Sequence, residues 1–268
     1  MRRQALLFLV AIQFLTRLPV PQLDGFQTSW LSESARFFPL VGALVGIIAV
    51  GVWWLSCLFF PPLVAVGLMM SASVLLTGAF HEDGFADVCD GFGGGKTRDA
   101  VLAIMKDSRV GAYGSVGVVM MLGLKWSALV SLPYTAFPVI IIGAHMVSRW
   151  CAIGLIWRLP YVRADAEAKS KPLADSLSGA DWLLSGALGA LMLLPALLLT
   201  DPAARSQLAV ALLAALLLSG ITALCAAGYF KNRIGGYTGD CLGATQQLAE
   251  LGFLLAALGV LAGIHPSG

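Results

Sequence analysis

Six or seven stretches of the chain are apolar over about the 20 residues that a helix needs to cross the hydrocarbon of a bilayer. They run from Phe37 to Phe60, Leu63 to Phe80, Tyr113 to Leu132, Ala136 to Trp157, Trp182 to Thr200, Leu208 to Phe230 and Leu248 to Ile264. Pro61, Pro62, Pro133 and Pro202 fall in the gaps, where a helix can stop without leaving backbone unpaired in lipid. The pattern predicts an all-α, polytopic bundle of about seven transmembrane helices, forming one membrane-embedded catalytic domain over residues 1–268. No stretch reads as a second globular domain or as a Pro-, Ser- or Gly-rich linker.

The first residues need separate treatment. Arg2 and Arg3 followed by apolar Ala5 to Ile12 have the outline of a signal peptide. No small-residue cleavage pattern follows, however, and Arg17, Pro19 and Pro21 stand where it would be, so the segment is expected to be retained. Gln13, Thr16 and Arg17 share one face of an otherwise apolar helix, which suits a helix lying in the membrane interface.

Composition agrees with this reading, since 58% of the 268 residues are hydrophobic and 12% charged, where a soluble domain carries roughly a quarter charged residues. The net charge of +2 supplies no argument for nucleic-acid binding. Charge placement says more. Basic residues occupy alternate gaps: Arg2, Arg3, Arg17 and Arg36, then Lys96, Arg98, Lys106 and Arg109, then Arg158, Arg163, Lys169 and Lys171, then Lys231 and Arg233, with Arg205 alone in the other set. By the positive-inside tendency this puts the amino terminus in the cytoplasm and, with seven spans, the carboxyl terminus outside. The five cysteines lie far apart without a C-x-x-C pair and read as small buried hydrophobes, although Cys89 could also be a thiol near a reaction centre.

Candidate chemistry begins at His81-Glu82-Asp83-Gly84-Phe85-Ala86-Asp87-Val88-Cys89-Asp90-Gly91. Asp83, Asp87 and Asp90 are spaced i, i+4, i+7, so they form one stripe if the second span continues helically past the membrane surface. Three like charges there call for a hard divalent cation, and Mg²⁺ takes a few carboxylates and shares its other positions with water and phosphate. The run Gly91 to Gly95 followed by Lys96, Thr97 and Arg98 reads either as a flexible phosphate-approaching loop or as a plain glycine linker. It is not a Walker motif, because the opening glycine would fall at Asp90. Thr97 is placed to cap a short helix from Arg98 to Lys106. Asp107 beyond it could be a metal ligand, a base for a hydroxyl proton or a solvated helix end, whereas Lys106 and Arg109 suit phosphate oxygens.

A second polar segment, Asn232 to Gln247, leads into Glu250, with Gln246 one turn before it on the same face. It reads as part of the same site or as a helix cap with a buried hydrogen-bonded pair. Arg149, inside the fourth span, needs a carboxylate or phosphate partner and could serve either substrate or structure. Lys125 is expected to snorkel toward the outer interface, and His145 to be a satisfied interior group, with His265 a tail residue.

The run His81 to Gly95, the run Ile104 to Gly114, the run Gly235 to Ala244 and the opening Phe14-Leu15-Thr16-Arg17-Leu18-Pro19-Val20-Pro21 together resemble cobalamin synthase, the adenosylcobinamide-GDP ribazoletransferase family, in the expected order along the whole chain. The resemblance implies a bacterial inner-membrane, multi-pass, Mg²⁺-dependent enzyme whose site faces the cytoplasm. It would join α-ribazole, or its 5′-phosphate, to adenosylcobinamide-GDP, with a ribose hydroxyl attacking the phosphorus attached to cobinamide and GMP departing. The small-molecule substrates and membrane lipid are then the expected partners, with no nucleic acid, and a homo-oligomer or association with other cobalamin-assembly enzymes is compatible with this.

On this reading Asp83, Asp87 and Asp90 hold the metal and Asp83 or Asp107 takes the proton. Glu82, Gly94, Lys96, Arg98, Lys106, Arg109, Arg149, Arg233, Thr238, Asp240, Gln246 and Glu250 are the candidate substrate and phosphate contacts. Two rivals are weaker. Asp87-Val88-Cys89-Asp90-Gly91 opens like the motif of CDP-alcohol phosphotransferases, but Gly94 and Gly95 stand where that motif has Ala-Arg. Arg149 and Glu250 could line a transport path, but no inverted repeat is visible and the polar residues gather at one membrane face.

Overall fold

A computed structural model describes residues 2–23, 25–162, 177–198 and 200–262 of the chain. Arg163, Lys169, Lys171 and His265, named above, lie outside the described residues. The elements are α1 (Arg2–Leu15), α2 (Thr28–Ser34), a 3₁₀ turn (Ala35–Phe37), α3 (Phe38–Ser56), α4 (Pro62–Thr77), α5 (Phe80–Gly94), α6 (Arg98–Ile104), α7 (Ala112–Val130), α8 (Phe137–Arg158), α9 (Gly179–Leu198), α10 (Pro202–Ile234) and α11 (Gly239–Ala262). The all-helical membrane architecture expected from the hydropathy pattern is what the chain adopts.

Five helices are long and apolar enough to span a membrane, or six if the bent pair α4 and α5 is taken as one span, with α9 a shorter apolar helix among the described residues. The count of seven changes mainly at the second stretch. There the helix stops at Gly78 and Ala79, both left-handed with φ of 68° and 58°, and the chain turns by 87° into α5. The stripe is therefore helical, but on a separate helix and not on a prolonged span. The last span begins at Gly239 and not at Leu248, because the polar segment is itself helical.

Helix α8 is the centre of the bundle: 94% of its spanning window is buried, against 28% for α7 and α10. Such burial explains why α8 is apolar on every side. Small residues let it approach its neighbours, since a Cβ at Gly46 would lie 2.8 Å from the Ile142 backbone of α8. Two apolar clusters result. One joins Phe137–Cys151 of α8 to Ala249–Leu261 of α11, and the other joins Ile153–Ile156 to Cys241–Ala244 and to α1 and α5. Polar residues occupy the layer between them.

The short connections put the starts of α3, α7 and α11 and the ends of α4, α8 and α10 at one end of the bundle. Trp150 and Trp182, stacked at 4.4 Å with each indole N–H donating to the other's carbonyl, bring the start of α9 to that end too. Most described basic residues collect there, with Lys125 and Arg149 inside the bundle and Arg205 at the other end. Helix α1 packs on this end through Phe14, whose ring lies 5.8 Å from Phe38 and 5.2 Å from Phe80.

Candidate active site

The bend at Gly78 and Ala79 is held from outside by the segment after α1. Arg17 N–H donates to the Leu76 carbonyl at 2.7 Å, and its guanidinium lies against Gly78, where a Cβ would stand 3.0 Å from Nη2. That puts a cation beside the carbonyl end of α4, where the helix dipole favours it. Helix α5 then crosses α11 at two glycines. A Cβ at Gly84 would lie 3.0 Å from Asp240 Cα, and one at Gly243 would lie 3.1 Å from the His81 carbonyl oxygen. This contact sets Asp240 beside the turns of α5 that carry Asp83 and Asp87.

The three aspartates of the stripe differ in surroundings. Asp83 is exposed and Asp87 half-buried. Asp90 is 9% exposed and accepts hydrogen bonds from the backbone N–H groups of Gly111 (2.7 Å) and Gly114 (2.9 Å). Those donors belong to the first turn of α7, so Asp90 caps that helix across the fold. Glycine at both positions makes room, since a Cβ at Gly111 would stand 3.0 Å from Asp90 Cγ.

The glycine run departs from the flexible loop considered above. Gly91 to Gly94 are the last turn of α5. Gly91 and Gly95 let α6 fold back closely, with Val101 Cα 2.7 Å from a Cβ at Gly95, and Gly93 sits under the Tyr113 ring. Gly94, exposed like Gly93, meets only Ile104. Thr97 caps α6 as expected, its hydroxyl accepting from Ala100 N–H at 3.3 Å, although α6 ends at Ile104 and not at Lys106.

Lys96, Arg98 and Lys106 are exposed around this end. Arg233 is partly committed: its Nη2 donates to the Gly95 carbonyl at 2.7 Å and its guanidinium lies 5.7 Å over the rings of both Phe92 and Tyr229. Asp107 and Arg109 pair with each other at 2.6 Å, and the guanidinium's hydrogen bonds hold the Asp107 carboxyl down to about 2. An acid so strong stays ionised at neutral pH and is a weak proton acceptor. Thr238 is buried at the start of α11, accepting from Cys241 N–H at 3.4 Å and donating to Asp240 Oδ2 at 3.4 Å.

Glu250, Gln246 and Arg149 are placed elsewhere, in the polar layer between the apolar clusters. Lys125, expected to snorkel, is 4% exposed and donates to Glu250 Oε1 at 2.8 Å and to Gln247 Oε1. The cost of a lone carboxylate in the bundle draws the lysine inward. Gln246 Nε2 donates to Glu250 Oε2 and to Ser148 Oγ, and His145 Nδ1 lies 3.5 Å from Glu250 Oε2. Arg149 Nη1 donates to the His145 carbonyl at 2.8 Å. Glu82 connects the layer to the stripe, since its Oε1 accepts from Gln247 Nε2 at 3.0 Å. Of these partners the sequence does not single out Ser148, it includes Gln247 only as the end of the polar segment, and it points Lys125 the wrong way. The signal available for Lys125 was the charge of Glu250, an intramembrane acid that requires a base.

Among the described residues no three His, Cys, Asp or Glu side chains stand close enough to hold a metal ion on their own. What this helix does offer is hard oxygen donors at Asp83 and Asp87, one turn apart. That donor set fits a Mg²⁺ ion whose remaining ligands come from water and substrate phosphate, since Mg²⁺ is commonly held by one or two carboxylates.

The family model described as cobalamin-5-phosphate synthase matches residues 7–258. The chain is 47% identical over 268 residues to a protein of Leptothrix cholodnii named adenosylcobinamide-GDP ribazoletransferase, with 97% of each chain covered. Proteins of the same name from Shewanella frigidimarina and Ralstonia pickettii are each 43% identical, over 96% and 90% of both chains respectively. No solved structure matches.

Proposed function

The chain belongs to the cobalamin-5-phosphate synthase family, and from that premise we propose how its polar end performs the chemistry. It is an adenosylcobinamide-GDP ribazoletransferase: it joins α-ribazole, or its 5′-phosphate, to adenosylcobinamide-GDP at the late nucleotide-loop assembly step of cobalamin synthesis, with release of GMP. The observation that carries the mechanism is the pair Asp83 and Asp87 on successive turns of α5, set beside Asp240 by the crossing at Gly84, with Lys96, Arg98 and Lys106 exposed on the segment that follows.

The ribose hydroxyl oxygen bonds to the phosphorus that carries cobinamide. The bond from that phosphorus to the bridging oxygen breaks, and the oxygen leaves with GMP. The hydroxyl proton passes to one carboxylate oxygen of exposed Asp83, its other oxygen being left for the metal, whereas the Asp107 carboxylate is paired with Arg109. Asp83 and Asp87 would hold a Mg²⁺ ion, which would supply neutralisation of the charge that develops on the departing phosphate. Lys96, Arg98 and Lys106 bind phosphate oxygens, and Arg233 positions the Gly95 turn behind them. Asp90 serves by capping α7.

The concentration of basic residues at this end of the bundle supports a bacterial inner-membrane protein with its site facing the cytoplasm. The test is purified protein in lipid with adenosylcobinamide-GDP, α-ribazole and Mg²⁺. We expect one GMP per cobalamin formed and loss of both on chelation with EDTA. Turnover undiminished by EDTA would remove the metal, and no product with any divalent metal would remove the reaction.

A further inference from the structure

The polar layer inside the bundle forms a ring of hydrogen bonds with one gap. Glu82 Oε1 accepts from Gln247 Nε2, and Gln247 Oε1 accepts from Lys125 Nζ. Lys125 donates in turn to Glu250 Oε1, and Glu250 Oε2 accepts from Gln246 Nε2. The two free ends of this sequence are Glu82 Oε2 and Gln246 Oε1. Both are buried, neither has a protein partner, and both are acceptors, so they cannot bond to each other.

A third buried atom without a partner, Arg149 Nε, belongs to the same place and is a donor. Glu82, Arg149 and Gln246 line one cavity of about 30 Å³, with Arg149 3% and Gln246 1% exposed. His81 lines it too. Two acceptors and one donor specify the chemistry of the occupant. A cation would meet the guanidinium and the Lys125 ammonium, and an anion would meet Glu82 and Glu250. Water matches, because it donates twice and accepts twice. A space of ~10–15 Å³ is enough for one molecule.

We propose that this cavity is a water-binding site, holding one or two molecules that accept from Arg149 Nε and donate to Glu82 Oε2 and Gln246 Oε1, thereby closing the ring. Closing it ties α5, α7, α8 and α11 together one residue before Asp83. Water here is a structural ligand of the bundle and a positioning element for Asp83, and the inference does not depend on the reaction assigned above.

The experiment is a structure of the full-length protein in lipid nanodiscs, at a resolution that shows ordered water. Density within hydrogen-bond reach of Glu82 Oε2, Gln246 Oε1 and Arg149 Nε is the expected result. A dry cavity, with these atoms turned to protein partners, would overturn the proposal. The Glu82→Gln variant gives a second reading in the same experiment, since its amide can donate to Gln246 Oε1 directly. Its map should lose the density between those two side chains, and unchanged density there would count equally against the assignment.

Discussion

The protein keeps its carboxylates in two settings, and the contrast between them separates chemistry from architecture. On α5, Asp83 is exposed and Asp87 half-buried, on the helix that leads into the exposed Lys96 and Arg98, so charge there is cheaper to hold than in the interior. In the polar layer, Glu250 is surrounded by Lys125, Gln246 and His145, and every contact there is internal. Exposed ion pairs contribute little to stability, whereas breaking a buried pair leaves a charge with no solvent to receive it. The outer group should therefore govern turnover and the inner group folding.

The sharpest way to break that division is on α5. Asp87→Asn is expected to lower turnover by about 10²- to 10³-fold, the scale of losing one electrostatic contact to the developing charge, while the melting temperature moves by no more than about 2 °C. A large fall in melting temperature with turnover per folded molecule intact would erase the distinction. The next effect belongs to the inner group. Lys125→Met strands Glu250 and should cost about 3–5 kcal/mol in unfolding measurements, and Lys125→Met with Glu250→Met should recover most of it. A double variant no better than the single would show that the pair is not the unit. Asp90 lies between the two settings and sharpens the comparison most gently. Asp90→Ala should destabilise by about 1–2 kcal/mol through loss of the α7 cap, with turnover per folded molecule largely kept. Loss of activity at unchanged stability would return Asp90 to the metal.

Much of this was legible in the residues. Span-length apolar runs marked the helices, and the spacing of Asp83, Asp87 and Asp90 placed them on one stripe because α5 is indeed helical through Gly94. What could not be read was the third dimension of that stripe. The cap on α7 pairs residues 21 and 24 positions apart, and nothing local in Asp90 announces Gly111 or Gly114. Lys125 and Glu250 lie 125 positions apart, so hydropathy scored each as an isolated cost and could not record that they cancel. The glycine run was ambiguous for a related reason. Glycine serves a loop and a close helix contact equally well, and only the positions of Met105, Val101 and Tyr113 decide between them.

The bend at Gly78 and Ala79 also ties the enzyme to the thickness of its membrane. Helix α4 has 16 residues and reaches about 24 Å at 1.5 Å per residue, short of a hydrocarbon layer about 30 Å deep. Only with α5 beyond the bend does this stretch reach span length, and each ångström of mismatch left to the bilayer costs fractions of a kcal/mol. The depth of Asp83 and Asp87 is then set by where this bend falls in the bilayer.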